Sequence, residues 1–150
     1  LRLSLPSGTR IMETGGAKGR ARELPREQLH AWLQGRLDVP AGRIVNQYGM
    51  TELGSQFYDS VLCEPTQPRR KLAPAWTRVR VVDPEAGREL HEGEVGEIRI
   101  VDLANTGSVL AIATADLGLC RGDGFEVLGR EAGAEARGCS IAADEMLAGA

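Results

Sequence analysis

The sequence predicts an α/β fold on three observations. A helix-period stripe lies between strand-like runs in residues 1–60, two-residue alternation fills much of residues 61–130, and a hairpin signal closes that stretch. In order, residues 2–5 (Arg-Leu-Ser-Leu) and 10–13 (Arg-Ile-Met-Glu) alternate and flank a Pro6-Ser7-Gly8 turn, so both read as short strands. Residues 14–19 are too rich in glycine for a regular element. Pro25 suits the first turn of a helix. Leu29, Trp32, Leu33 and Leu37 then fall at helical spacing, predicting an amphipathic helix over residues 25–37 with Trp32, Leu33 and Leu37 in the core. Pro40 and Gly42 end it, and residues 43–48 read as a strand feeding a loop.

After a connection bearing Pro65, Pro68 and Pro74, Val79 and Val81 alternate with Arg78 and Arg80. Those arginines read as the exposed face of a strand rather than a nucleic-acid patch. Asp83-Pro84-Glu85-Ala86-Gly87 is a turn. Ile98 and Ile100 alternate with Glu97 and Arg99, residues 109–113 read as an apolar buried strand, and Asp123-Gly124 signals a hairpin whose return strand starts with Phe125 and Val127. The expected organisation is an α/β nucleotide-site segment (1–60), a β-rich subdomain (61–130) and a mobile tail (131–150) with a short helix near residues 144–147. No internal repeat is evident.

The chain has 150 residues, 18 basic and 21 acidic, for a net charge of -3. That balance gives no electrostatic case for nucleic acid or an anionic membrane. Length allows one domain with a core of its own. The first residue is Leu1, already in a strand-like run, so an internal or C-terminal fragment of a larger protein is expected. Three cysteines, Cys63, Cys120 and Cys139, lack metal-ligand spacing and read as reduced, cytoplasmic thiols. No signal peptide or long apolar span suggests export or membrane insertion. Cys63 and Cys120 are expected to be structural, and His30 and His91 solvated.

Chemistry concentrates in Asn46-Gln47-Tyr48-Gly49-Met50-Thr51-Glu52, Thr114-Ala115-Asp116-Leu117-Gly118 and Phe125-Glu126-Val127-Leu128-Gly129-Arg130. Tyr48 offers a flat face for a purine and a polar tip. Gly49 lets backbone approach a ligand. The Thr51 hydroxyl can donate to a phosphate oxygen. Glu52 is a hard oxygen ligand of the kind Mg²⁺ takes one or two of, alongside phosphate and water. Gly15, Gly16 and Ala17 offer a small-residue loop against the other face or edge of the base. Asp116 can accept from both hydroxyls of a ribose, and Arg130 is a multi-donor fork able to reach ribose or phosphate.

These stretches, with Gly93-Glu94-Val95-Gly96-Glu97 and the Thr14-Gly15-Gly16-Ala17 loop, resemble the ordered motifs of the adenylate-forming (acyl-activating) superfamily. The resemblance covers most of the chain. It implies the C-terminal portion of that superfamily's large domain, with Tyr48, Gly49, Met50, Thr51, Asp116, Arg130 and the Gly15-Gly16-Ala17 loop on ATP and Glu52 on Mg²⁺. Glu13 to Arg20, Asp102-Leu103-Ala104-Asn105 and Arg137-Gly138-Cys139-Ser140 are similar to the acyl-protein synthetase branch, which serves the fatty-acid reductase complex of bacterial bioluminescence and its relatives. What this implies is a long-chain-fatty-acid–protein ligase: a fatty acid and ATP give an acyl-adenylate, and a cysteine captures the acyl group. Cys139 lies two residues after Arg137, and a nearby cation lowers a thiol's pKa. Cys139 is the candidate acceptor, with Thr51 and Glu52 as further catalytic candidates. Acyl-reductase and acyl-transferase subunits are the partners such a ligase implies.

Two parts of the superfamily pattern are missing from these residues. The Ser/Thr/Gly-rich phosphate loop would lie upstream of Leu1, and no lysine follows Lys71 to serve the mobile C-terminal domain. The fragment is therefore expected to be incomplete for turnover. A phenylacetate-type carboxylate–CoA ligase and a non-catalytic nucleotide-binding or interaction module stay open as alternatives.

Overall fold

The computed structural model describes residues 2–14 and 24–130. The predicted tail with Cys139, and the Gly15-Gly16-Ala17 loop, lie outside the described residues. Strand β1 (Ile11–Glu13), helix α1 (Arg26–Leu37) and strand β2 (Ile44–Tyr48) form a parallel strand–helix–strand unit, with Ile11 opposite Ile44 and Glu13 opposite Asn46. Six strands follow: β3 (Phe57–Asp59), β4 (Lys71–Leu72), β5 (Thr77–Val82), β6 (Gly96–Asp102), β7 (Ala111–Arg121) and β8 (Gly124–Arg130). They continue one eight-stranded sheet, in the order β1-β2-β3-β4-β8-β7-β6-β5, with every pairing after β1–β2 antiparallel. The fold is the mixed α/β one that the sequence predicts.

Phe57, Ile98, Ile100 and Phe125 form the buried centre, and Tyr48, Leu53, Ala73, Val79 and Val127 pack around it. Tyr48 pairs with Phe57, and Lys71 with Phe125, so these side chains share one face of the sheet. Closing the order from β2 to β7 on a flat sheet takes four steps, about 19 Å. A tyrosine side chain cannot span that. Yet the Tyr48 hydroxyl reaches Asp116 on β7 at 2.7 Å. The sheet must therefore coil strongly around the two phenylalanines, whose rings meet edge-on with centroids 5.4 Å apart.

Several local expectations need correction. Residues 2–5 form no strand, because the Leu3 amide bonds the Arg36 carbonyl at the end of α1 instead of a strand edge. Within α1, Trp32 is 53% exposed and stacks beneath the Arg36 guanidinium, while His30 is buried and bonds Glu13 at 3.1 Å. The apolar period located the helix but not the face it buries: the strand beneath offers a carboxylate, and an imidazole matches it. His91 is exposed, as are Arg78 and Arg80. Val109 and Leu110 are exposed, and β7 begins only at Ala111. The hairpin closes one residue before the expected centre, because Arg121 pairs with Gly124 and leaves Gly122-Asp123 as its two-residue loop. Gly122 has φ +57, which the first central position of a type II′ turn requires. Cys63 is exposed, and burial pushes the Cys120 thiol upward. Among the described residues, no helix is long and apolar enough to cross a membrane.

Candidate active site

Asp116 is the residue on which the candidate site converges, and a distortion of β7 aims it. The β6–β7 ladder pairs Glu97 with Leu117 and Arg99 with Ala113, so residues 114–116 stand opposite Ile98 alone. This bulge interrupts the ladder, and bulges re-aim side chains. Ala115 takes up the excess chain with φ +56, a left-handed conformation costing roughly 1–2 kcal/mol in a residue with a Cβ. The Thr114 hydroxyl repairs the break: it donates to the Ile98 carbonyl at 2.8 Å and accepts from the Asp116 amide at 3.1 Å. Just beyond, Gly118 lies against the Glu126 carbonyl and the Ile98 side chain, where a Cβ would collide with both.

The buried Asp116 carboxylate takes two donors from far along the chain. Tyr48 Oη donates to Oδ2 at 2.7 Å, and Arg130 Nε donates to Oδ1 at 3.0 Å. Asp116 and Arg130 are direct cross-strand partners on β7 and β8. Tyr48 is held by its ring, tilted against Phe57 at 6.1 Å and edge-on to Phe125 at 5.9 Å. Burial first, then the hydrogen bond and negative charge of Asp116, push the Tyr48 phenol well above its usual range, so it stays a donor. Each carboxylate oxygen still has a second lone pair, so Asp116 retains capacity for ribose hydroxyls. Three of the sequence motifs thus meet at one carboxylate.

The Tyr48-Gly49-Met50-Thr51-Glu52 segment leaves β2 as a tight loop, closed by a Leu53 amide to Met50 carbonyl bond of 3.2 Å. Leu53 anchors it in the core. Gly49 and Thr51 are exposed, and Met50 and Glu52 half-buried. The Asn105 side-chain amide donates to the Glu52 carbonyl at 2.7 Å. Among the described residues, no group of three or more His, Cys, Asp or Glu side chains could by itself hold a metal ion. A lone carboxylate nevertheless fits Mg²⁺ that draws its remaining ligands from phosphate and water. A separate cavity of about 380 Å³ is lined by Ser4, Ser7, Thr9, Asp38 and Arg43 among others, none of them a predicted site residue.

The sequence reading missed a buried polar cluster on β2, β3 and β4. Lys71 is buried and its Nζ bonds the Asn46 carbonyl at 2.8 Å and the Asn46 side-chain oxygen. Desolvation, then the charge of Arg26, lower its pKa to about 8. Beside it, buried Asp59 accepts from the Asn46 amide at 3.0 Å and Arg69 at 2.8 Å. Lysine and aspartate in short two- and three-residue strands give no periodic signal, so only the pairing of β2, β3 and β4 reveals them.

Residues 4–103 match the AMP-binding enzyme family, more than half of the chain. The chain belongs to the AMP-binding enzyme family. Solved structures agree on its fold. An o-succinylbenzoate CoA synthetase from Bacillus subtilis, in complex with its acyl-adenylate intermediate, is 22% identical with a TM-score of 0.58, over 85% of this chain and 34% of that one. ATP-bound MatB from Rhodopseudomonas palustris is 23% identical with a TM-score of 0.51, over 69% of this chain and 23% of that one. A long-chain-fatty-acid-CoA ligase from Archaeoglobus fulgidus is 22% identical with a TM-score of 0.51, over 80% and 28%. This AMP-binding chain therefore spans about a quarter to a third of the length of these structures. No individually curated protein matches it.

Proposed function

We propose that this chain supplies the adenosine- and metal-binding part of an acyl-adenylate-forming ligase that activates a long-chain fatty acid with ATP and passes the acyl group to Cys139. The observation that carries the nucleotide part is the Tyr48–Asp116–Arg130 junction, in a chain of the AMP-binding enzyme family. The Asp102-Leu103-Ala104-Asn105 and Arg137-Gly138-Cys139-Ser140 stretches support the acyl-protein branch by resemblance. Fatty-acid reductase and acyl-transferase subunits are the partners proposed with it, and the cytoplasm its place.

In this reading Asp116 binds the ribose hydroxyls, Arg130 orients that carboxylate through its 3.0 Å bond, and Tyr48 borders the base with the Gly15-Gly16-Ala17 loop. A fatty-acid carboxylate oxygen attacks the α-phosphorus, the bond to the pyrophosphate oxygen breaks, and acyl-adenylate forms. Thr51 donates to phosphate oxygen as negative charge gathers there. Mg²⁺ bound through Glu52 would neutralise part of that charge. Stabilising it by about 3 kcal/mol corresponds to roughly a hundredfold in rate. The Cys139 thiolate then attacks the acyl carbon, AMP leaves, and a thioester remains.

The test supplies the intact protein with radiolabelled fatty acid, ATP and Mg²⁺. Label that survives denaturation and is released by hydroxylamine, but is absent in Cys139→Ser, is the expected result. Free acyl-CoA formed on adding CoA would support a CoA ligase instead, and stable label persisting in Cys139→Ser would remove Cys139 as acceptor.

A further inference from the structure

The loop that carries Glu52 is fastened to a second loop at the far end of β6. Asp102, the last residue of β6, is fully buried, and its carboxylate accepts from the Ser55 amide at 2.8 Å, the Ser55 hydroxyl at 2.9 Å and the Ala104 amide at 3.0 Å. Trp76 Nε1 donates to the same Ser55 hydroxyl at 2.8 Å. Asn105 uses its side-chain amide twice, donating to the Glu52 carbonyl at 2.7 Å and the Val109 carbonyl at 2.8 Å. Between these anchors the two backbones run close: a Cβ on Gly54 would stand 3.3 Å from the Ala104 carbonyl group. The chain is thus pinned immediately after Glu52 and again three residues later.

The Glu52 carbonyl bond fixes the peptide plane that leaves Glu52, and with it the direction in which the side chain departs. The other end of β6 holds the ribose-side carboxylate, because the Ile98 carbonyl anchors Thr114 and through it the Asp116 amide. Ile98 and Asp102 are four residues apart on one strand, roughly 13 Å. Both carboxylates assigned to the nucleotide are therefore referenced to a single strand.

We propose that Asn105 and Asp102 are positioning residues that set where the Glu52 carboxylate meets the metal–phosphate group, with β6 as the spacer between the metal end and the ribose end of the nucleotide. This rests on the reading of Glu52 as a metal ligand. Neither residue touches nucleotide; both act through the backbone that flanks Glu52. Partners of metal ligands commonly contribute 10–100-fold to metal affinity.

The experiment measures ATP binding by the intact protein in Mg²⁺ and in EDTA, and AMP binding in EDTA, by calorimetry, with thermal melts as the folding control. Mg²⁺ tightens ATP binding in the parent protein and not in Glu52→Gln. Asn105→Ala reduces the Mg²⁺-dependent gain about tenfold while AMP affinity stays within about twofold. Combining it with Glu52→Gln adds no further loss, because the two act through one group. Asp102→Asn reduces the same gain. Should Asn105→Ala not fold, Asn105→Ser, which keeps a donor without the reach, gives the same readout. Equal losses for ATP and AMP, with or without Mg²⁺, would overturn the proposal in favour of a purely structural clamp. An unchanged Mg²⁺ gain in the Asn105 variants alongside its loss in Glu52→Gln would overturn it alone. A gain unaffected by Glu52→Gln would overturn the metal reading itself and the positioning role with it.

Discussion

Replacing Tyr48 by Phe tests the junction at Asp116 with one atom. The ring keeps its contacts with Phe57 and Phe125, so the aromatic core is left in place. What disappears is the 2.7 Å donor to Asp116 Oδ2, on a residue only 8% exposed. Water cannot readily replace the hydroxyl there. A hydrogen bond to a charged group contributes about 1.5–3 kcal/mol, and Arg130 still holds the other oxygen. The expected loss is about 2 kcal/mol, roughly a thirtyfold shift in the folding equilibrium. Urea unfolding at pH 7 measures it.

A second arm uses pH. The unfolded Tyr48 phenol ionises near 10, while burial and the Asp116 carboxylate keep the folded one protonated well above that. Below pH 10 neither state releases the proton and the contribution is constant. Above it only the unfolded chain does, so the parent loses stability as pH rises, by up to about 1.4 kcal/mol per pH unit. The Phe variant lacks this slope, so the difference between the two proteins narrows on the alkaline side. A variant within about 0.5 kcal/mol of the parent at pH 7, with a parallel pH profile, would refute the argument.

Asp116→Ala should weaken AMP binding about 10–100-fold by removing charge-assisted acceptors; unchanged affinity by calorimetry would disconnect Asp116 from the ribose. Lys71→Met should abolish a rise in stability between pH 8 and 10.5, where the folded parent sheds its lysine proton and the unfolded chain keeps it. Below pH 8 both states hold the proton and the burial penalty is fully present, and the whole interval is worth about 3 kcal/mol. A pH series of urea midpoints shows whether that rise exists. Gly118→Ala should lower stability by at least 1–3 kcal/mol, because the added Cβ meets the Glu126 carbonyl and the Ile98 side chain; a thermal melt decides.

Local sequence pattern was enough to set the type of most long elements and to nominate the residues of the candidate site. Proline at the start and a left-handed Asp38 at the end bound a helix at Arg26–Leu37, close to where local propensity places it. Alternation marked β5 and β6, and the turn at Asp83 formed as its residues dictate, with the Asp83 carboxylate accepting from the Glu85 and Ala86 amides. Residue chemistry also named Tyr48, Asp116 and Arg130, because a stacking ring, an acceptor pair and a donor fork are properties of the side chains themselves. Which of these side chains meet is set by the folded sheet. Tyr48 and Asp116 are 68 positions apart, and their contact requires a sheet coiled around Phe57 and Phe125. The bulge at residues 114–116 and the left-handed Ala115 belong to a mismatch between two strands, which neither strand carries alone. Burial of His30, Lys71 and Asp102 was equally out of reach: a polar residue's tolerance for the interior depends on partners that folding brings to it, and those partners are distant in the chain.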